Sequence, residues 1–170
     1  MDTLLGLRQW KWHATDWTAA AVSGFAAGAV LMVLDLVWSA LFNPEGPWRI
    51  SHMIAPIFLG AGSAAPGYPF SVTVVAVALA THYALGILFG LGVAWVMSHL
   101  ELDGLPASAM ATGAAFGVLL YLFNFHVVAR VLFPWLAQLR GVETLAAHVV
   151  FGMVAALLYE RLKRIPPTVG

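Results

Sequence analysis

The chain is 170 residues long, 61% hydrophobic and only 9% charged, with eight basic residues balancing eight acidic ones. A water-soluble domain is about 25% charged, so this composition selects lipid as the solvent and excludes a disordered tail, a coiled coil and, for want of a basic patch, a nucleic-acid binder. The absence of cysteine excludes disulfides, thiolate metal sites, iron–sulfur clusters and cysteine nucleophiles.

Residues 1–16 mix Trp10, Trp12, Arg8, Lys11 and His13, a composition that suits a short segment lying in the headgroup layer. A bilayer core of about 30 Å needs roughly 20 apolar residues as helix, and four stretches qualify. The first runs from about Trp17 to Phe42, with Asp35 inside and Thr15 or Asp16 available to cap it. It exceeds the h-region of a signal peptide. The loop from Asn43 to Ser71 is rich in proline and glycine; its apolar part, Trp48 to Leu59, is too short to span and reads as an extra interfacial or re-entrant helix on the outer face. The second span runs from about Val72 to His99 around His82. The third runs from about Ala107 to Val131, with Asn124, His126 and Arg130 near its end. Pro134 and Trp135 mark an interfacial loop. The fourth span runs from about Glu143 to Leu162, with His148 inside.

The sequence therefore predicts an all-α integral membrane four-helix bundle. A single four-span domain occupies 17–162, with a tail at 163–170. Arg8, Lys11, Arg161, Lys163 and Arg164 lie on one side and Arg49, Arg130 and Arg140 on the other. This bias puts both termini in the cytoplasm.

The halves resemble each other. Ser23-Gly24-Phe25-Ala26-Ala27-Gly28 aligns with Thr112-Gly113-Ala114-Ala115-Phe116-Gly117, a register that pairs Asp35 with Asn124. His82 precedes Gly86 as His148 precedes Gly152. The chain reads as a duplicated helical hairpin with a pseudo-twofold axis along the membrane normal. Small residues four apart let helices approach closely in lipid. They also place Asp35, His82, Asn124 and His148 on packed faces in the outer half of the bundle. In an up-down arrangement the two histidines face each other across it; His126 falls outside this layer.

Four roles fit such a layer. Asp35 could bond His82, and Asn124 could bond His148, simply to fix helix packing. His82, His148 and Asp35 could ligate a transition metal. His82 and His148 could be the axial ligands of a b-type haem, with Gly86 and Gly152 leaving room for the macrocycle, in an electron-transfer component. Asp35 and the histidines could relay protons or ions through an oligomer. His13 and His52 read as interfacial, and Glu143 suits the start of its helix. No G-x-S-x-G, P-loop or paired-carboxylate motif supports an enzyme. The primary expectation is a non-enzymatic structural or accessory membrane protein whose partners are the bilayer and either further copies of itself or a larger complex.

The pattern His82-x-x-x-Gly86, Gly113-x-x-x-Gly117, Pro134 and His148-x-x-x-Gly152 resembles an uncharacterised family of small bacterial four-helix membrane proteins. The likeness covers roughly residues 76–160. Some members of that family carry the label sodium:proline symporter. The resemblance implies an inner-membrane location and no established activity.

Overall fold

The computed structural model describes residues 14–63, 67–102 and 104–164. The tryptophan-rich segment expected before residue 14 and the end of the tail expected after residue 164 lie outside the described residues. Among those described there are helices and no strands. In chain order they are α1 (Trp17–Phe42), α2 (Arg49–Ile54), α3 (Pro56–Leu59), a 3-10 turn (Ala61–Ser63), α4 (Val72–His99), α5 (Pro106–Leu122), a π-helical segment (Phe123–Val128), α6 (Ala129–Val131), a second 3-10 helix (Pro134–Leu139) and α7 (Val142–Leu162). Four helices are long and apolar enough to cross a membrane: Trp17–Phe42, Val72–His99, Pro106–Val131 and Val142–Leu162.

The ends of these helices follow from local chemistry. Asp16 caps α1 by accepting from the amide of Ala19, and Ser71 caps α4 by accepting from that of Val74. Pro106 opens α5 at a position where its missing N–H costs nothing. Glu143 lies in the first turn of α7, where the helix dipole favours a carboxylate. Pro44 and Pro47 follow closely on α1, so the chain cannot continue as helix there.

Within each hairpin the helices meet backbone to backbone. A Cβ added at Gly24 would collide with the carbonyl oxygen of Gly86 and come within 2.8 Å of the Cα of Gly90. One added at Gly113 would collide with the carbonyl oxygen of Gly152. Gly28 approaches Gly86, and Gly117 approaches the backbone at His148, in the same order. Between helices as apolar as these, close van der Waals packing of this kind is the contact that would hold them in lipid.

The hairpins join unequally. α1 packs broadly on α7, whereas α4 touches α5 over little surface. A strict twofold axis would make these two contacts equivalent, so the predicted symmetry does not govern how the halves meet. The aligned positions Ala27 and Phe116 supply a reason. Ala27 is fully buried in the core cluster beside Phe151, Ala155 and Ala156 of α7. The Phe116 ring instead lies 3.2 Å from where a Cβ on Gly92 of α4 would sit, holding α5 off. The four long helices therefore run side by side in the order α4, α1, α7, α5.

The loops form a second small core at the other end from Asp16. Met53 packs with Phe125, Ala129, Leu136 and Leu139, and the Trp135 indole N–H donates to the carbonyl of Met53 at 3.0 Å. The short apolar helix expected between Trp48 and Leu59 is thus present as α2 and α3.

Gly24→Ala should destabilise the detergent-solubilised protein by about 1–3 kcal/mol through overpacking, outweighing the 0.5–1 kcal/mol that alanine gains over glycine in a helix. Gly104→Ala, where the added methyl meets nothing within 4 Å, should leave the thermal midpoint within error.

Candidate functional site: a polar layer and its surroundings

Each of the four polar residues expected in one layer is half-buried, but their partners differ from expectation. His82 Nε2 donates to the carbonyl oxygen of Gly28 on α1, at 3.0 Å. His148 Nδ1 donates to the carbonyl oxygen of Thr144 one turn back on its own helix, at 2.8 Å. The expected bonds from Asp35 to His82 and from Asn124 to His148 are not formed among the described residues. The physical reason is proximity. The Gly24–Gly86 contact brings the main chain of α1 so close that the Gly28 carbonyl oxygen lies within hydrogen-bond reach of the imidazole.

The second half departs further. The π-helical segment Phe123–Val128 shifts the helix face where a regular α-helix was expected, so Phe125 becomes buried, Asn124 half-buried and His126 exposed. The Phe125 carbonyl accepts from Arg140 Nε at 2.7 Å, which uses main-chain bonding capacity where the helix changes register. The rings of Phe125 and Tyr121 stand edge-on to His148, with centroids 5.4 and 6.0 Å away.

The first half instead keeps a cavity. Asp35 and His82 line it from α1 and α4, together with Met32, Leu36 and Ala78, and Pro47, Ile50, Ser51 and Ile54 roof it from the loop. It holds about 30 Å³, and a single water needs roughly 10–15 Å³ by this measure. His52, expected at the interface, is only 3% exposed; its Nε2 donates to the carbonyl of Pro69 at 2.8 Å.

The residues do not fit a haem. Gly86 and Gly152, expected to leave room for the macrocycle, face the backbones of α1 and α5, and a mere Cβ on Gly152 would overlap the carbonyl of Gly113. Each imidazole has one ring nitrogen bonded to a carbonyl, which by itself is compatible with ligation through the other; it is the closed glycine contacts that leave no room for the macrocycle. A metal centre fares no better. Among the described residues no three His, Asp or Glu side chains come together to hold an ion, so His82, His148 and Asp35 are not one ligand set.

A polar cluster that the sequence reading missed ties the opposite end. Arg164 donates from Nε to Asp16 Oδ2 at 2.8 Å and from Nη2 to Oδ1 at 3.1 Å. Tyr159, 1% exposed, shares a 2.7 Å hydrogen bond with Ser98 and accepts from the Asp16 amide at 3.3 Å. The start of α1 and the ends of α4 and α7 are thereby joined. The only signals in the sequence were a capping aspartate and a terminal arginine, about 150 residues apart. The Arg164 guanidinium, aided by the Ala19 amide, holds the Asp16 carboxyl well below the usual carboxylate range. A depressed carboxyl contributes stability above its unfolded value, about 3.9 for Asp, and loses it as pH falls through the folded one. This tie is therefore constant across neutral and mildly acidic pH.

Compared with known protein families, with curated proteins and with solved structures, the chain matches none.

Tyr159→Phe removes the hydroxyl that Ser98 and the Asp16 amide share, and should cost about 1–3 kcal/mol. Ser98→Ala should cost less, and the double variant should lose less than the sum. Denaturation of all three in detergent checks this.

Proposed function

We propose that the chain is a multi-pass protein of the bacterial inner membrane with a structural or accessory role and no enzymatic activity, built from two copies of one helical hairpin with both termini in the cytoplasm. The observation that carries this reading is that both buried imidazoles spend a ring nitrogen on main-chain carbonyls, one of them across the seam between helices. The His82 bond holds α4 to α1, and the His148 bond fixes its ring on its own helix. A redox or metal centre would require the two imidazoles to converge on a common occupant.

The duplication is supported by the matched approaches of Gly24 to Gly86 and of Gly113 to Gly152, which fall at positions the two halves share in sequence. Insertion in a membrane is supported by the four apolar helices and by large exposed apolar side chains such as Phe25, Val33, Trp38 and Leu41 on α1, which suit lipid or a neighbouring membrane protein. The charge bias supports the orientation. A solute path within one copy finds no support, because the cavity beside Asp35 is the size of one or two waters.

Because His82 bonds across the seam and His148 bonds within its own turn, His82→Ala should lower the thermal midpoint in detergent clearly more than His148→Ala. Neither should change the absorption spectrum or metal content of the purified protein. A Soret band or a stoichiometric metal that His82→Ala abolishes would replace this reading with the electron-transfer one. Reporter fusions at Gly62 and Gly170 should report opposite compartments, with Gly170 cytoplasmic.

A further inference from the structure

Asp35 stands apart from the other polar groups within the spans. His82 and His148 have carbonyl partners, whereas Asp35 has no hydrogen bond or ion pair within the described residues. It is half-buried on a membrane-length helix. A carboxylate taken from water without a partner is costly, and it neutralises or acquires a counter-charge instead. Its surroundings limit what can play that part. The cavity it lines holds about 30 Å³, which is room for one or two waters and too little for an organic solute.

The lining chemistry narrows this further. His82 donates through Nε2 to Gly28, so in the neutral ring Nδ1 is an acceptor. Ser51 adds a hydroxyl. Around this water-sized space a carboxylate and an acceptor imidazole face a single hydroxyl donor, so acceptors outnumber donors and the carboxylate charge has nothing to balance it. We infer that the cavity bounded by Asp35, His82 and Ser51 is a proton-binding site, where a water delivers a proton from the loop side to the Asp35 carboxylate. The step balances simply. Hydronium gives its proton to the carboxylate, leaving water and a neutral carboxyl, and the reverse step returns it.

Pro47, Ile50, Ser51 and Ile54, all from the loop between α1 and α4, are the part of the lining nearest that end of the bundle, so the inferred route for the proton is from the loop side. The titratable groups on the packed elements are His82 on α4, His52 and Arg49 on α2, Glu45 in the preceding turn, and His148 and Glu143 on α7. Arg49 and Glu45 are paired with each other, and His52 is bonded to Pro69. None of them offers Asp35 a counter-ion. The second half carries no copy of the site: Asn124 replaces the acid, and the Phe125 and Tyr121 rings crowd His148. The site goes beyond a scaffold role and does not depend on it.

Infrared difference spectra of the full chain in liposomes, stepped from mildly alkaline to mildly acidic buffer, test the inference. A protonated-carboxyl C=O band should grow on acidification, and Asp35→Asn should lose it while Glu45→Gln keeps it. Ser51→Leu, which fills the cavity and leaves the carboxyl in place, should slow hydrogen–deuterium exchange of that band, and it serves as the test if Asp35→Asn does not fold. No such band, a band that persists in Asp35→Asn, or unchanged exchange in Ser51→Leu would overturn the proposal. So would a carboxylate that responds to sodium in place of choline and not to pH, which would make the occupant an alkali cation.

Discussion

The structure depends on main chain meeting main chain. At Gly24, Gly113 and Gly152 a single added carbon would overlap a carbonyl oxygen of the facing helix, and at Gly86 it would press tightly against one. In lipid, association comes from van der Waals packing and polar contacts, so the distance of closest approach sets the strength of the seam. It also sets the chemistry. Once the backbones are this close, the Gly28 carbonyl lies within hydrogen-bond reach of the His82 imidazole. The glycines that could have been vacant space for a cofactor are the places where space has been removed.

Chemistry then diverges between halves that share this packing. In the first, an acid and an imidazole border a small, water-sized cavity under the loop. In the second, a change of helical pitch at Phe123–Val128 turns Phe125 inward against His148, so an aromatic side chain occupies the region beside the imidazole. π-helical segments often mark functional sites. Here the segment also exposes a carbonyl that Arg140 satisfies, which anchors the second loop.

The spans were legible because their signal is coarse: length, apolarity and punctuation by proline and capping residues place helices to within a residue or two. The small-residue faces were legible for the same reason, since four-residue spacing survives any detail of packing. Hydrogen-bond partners were not. A sequence displays side chains, which pairs Asp35 with His82 and Asn124 with His148, whereas the acceptors are carbonyl oxygens that every residue carries. The π-helix left no mark in the residue pattern, and an ideal period carried Asn124 onto a face that Phe125 in fact buries. His52 reads as interfacial because its neighbours are apolar and proline-rich, yet its own loop folds back over it at Tyr68 and Pro69. The inequality between hairpins was written in one aligned pair, Ala27 against Phe116, but only packing shows which difference in size matters.

The polar tie of Asp16, Ser98, Tyr159 and Arg164 bears on the order of assembly. It joins residues about 150 positions apart in the chain, and α1 has its second broad interface with α7. During synthesis α1 and α4 can pair as soon as both have left the ribosome, because their glycine seam needs nothing later. The other face of α1 must wait through two further helices for its neighbour. Until α7 arrives, Ala27 and the polar cap at Asp16 stay uncovered, and the nascent hairpin presents a small-residue surface to its surroundings. A chain cut short before α7 would hold its first hairpin and keep that surface permanently open.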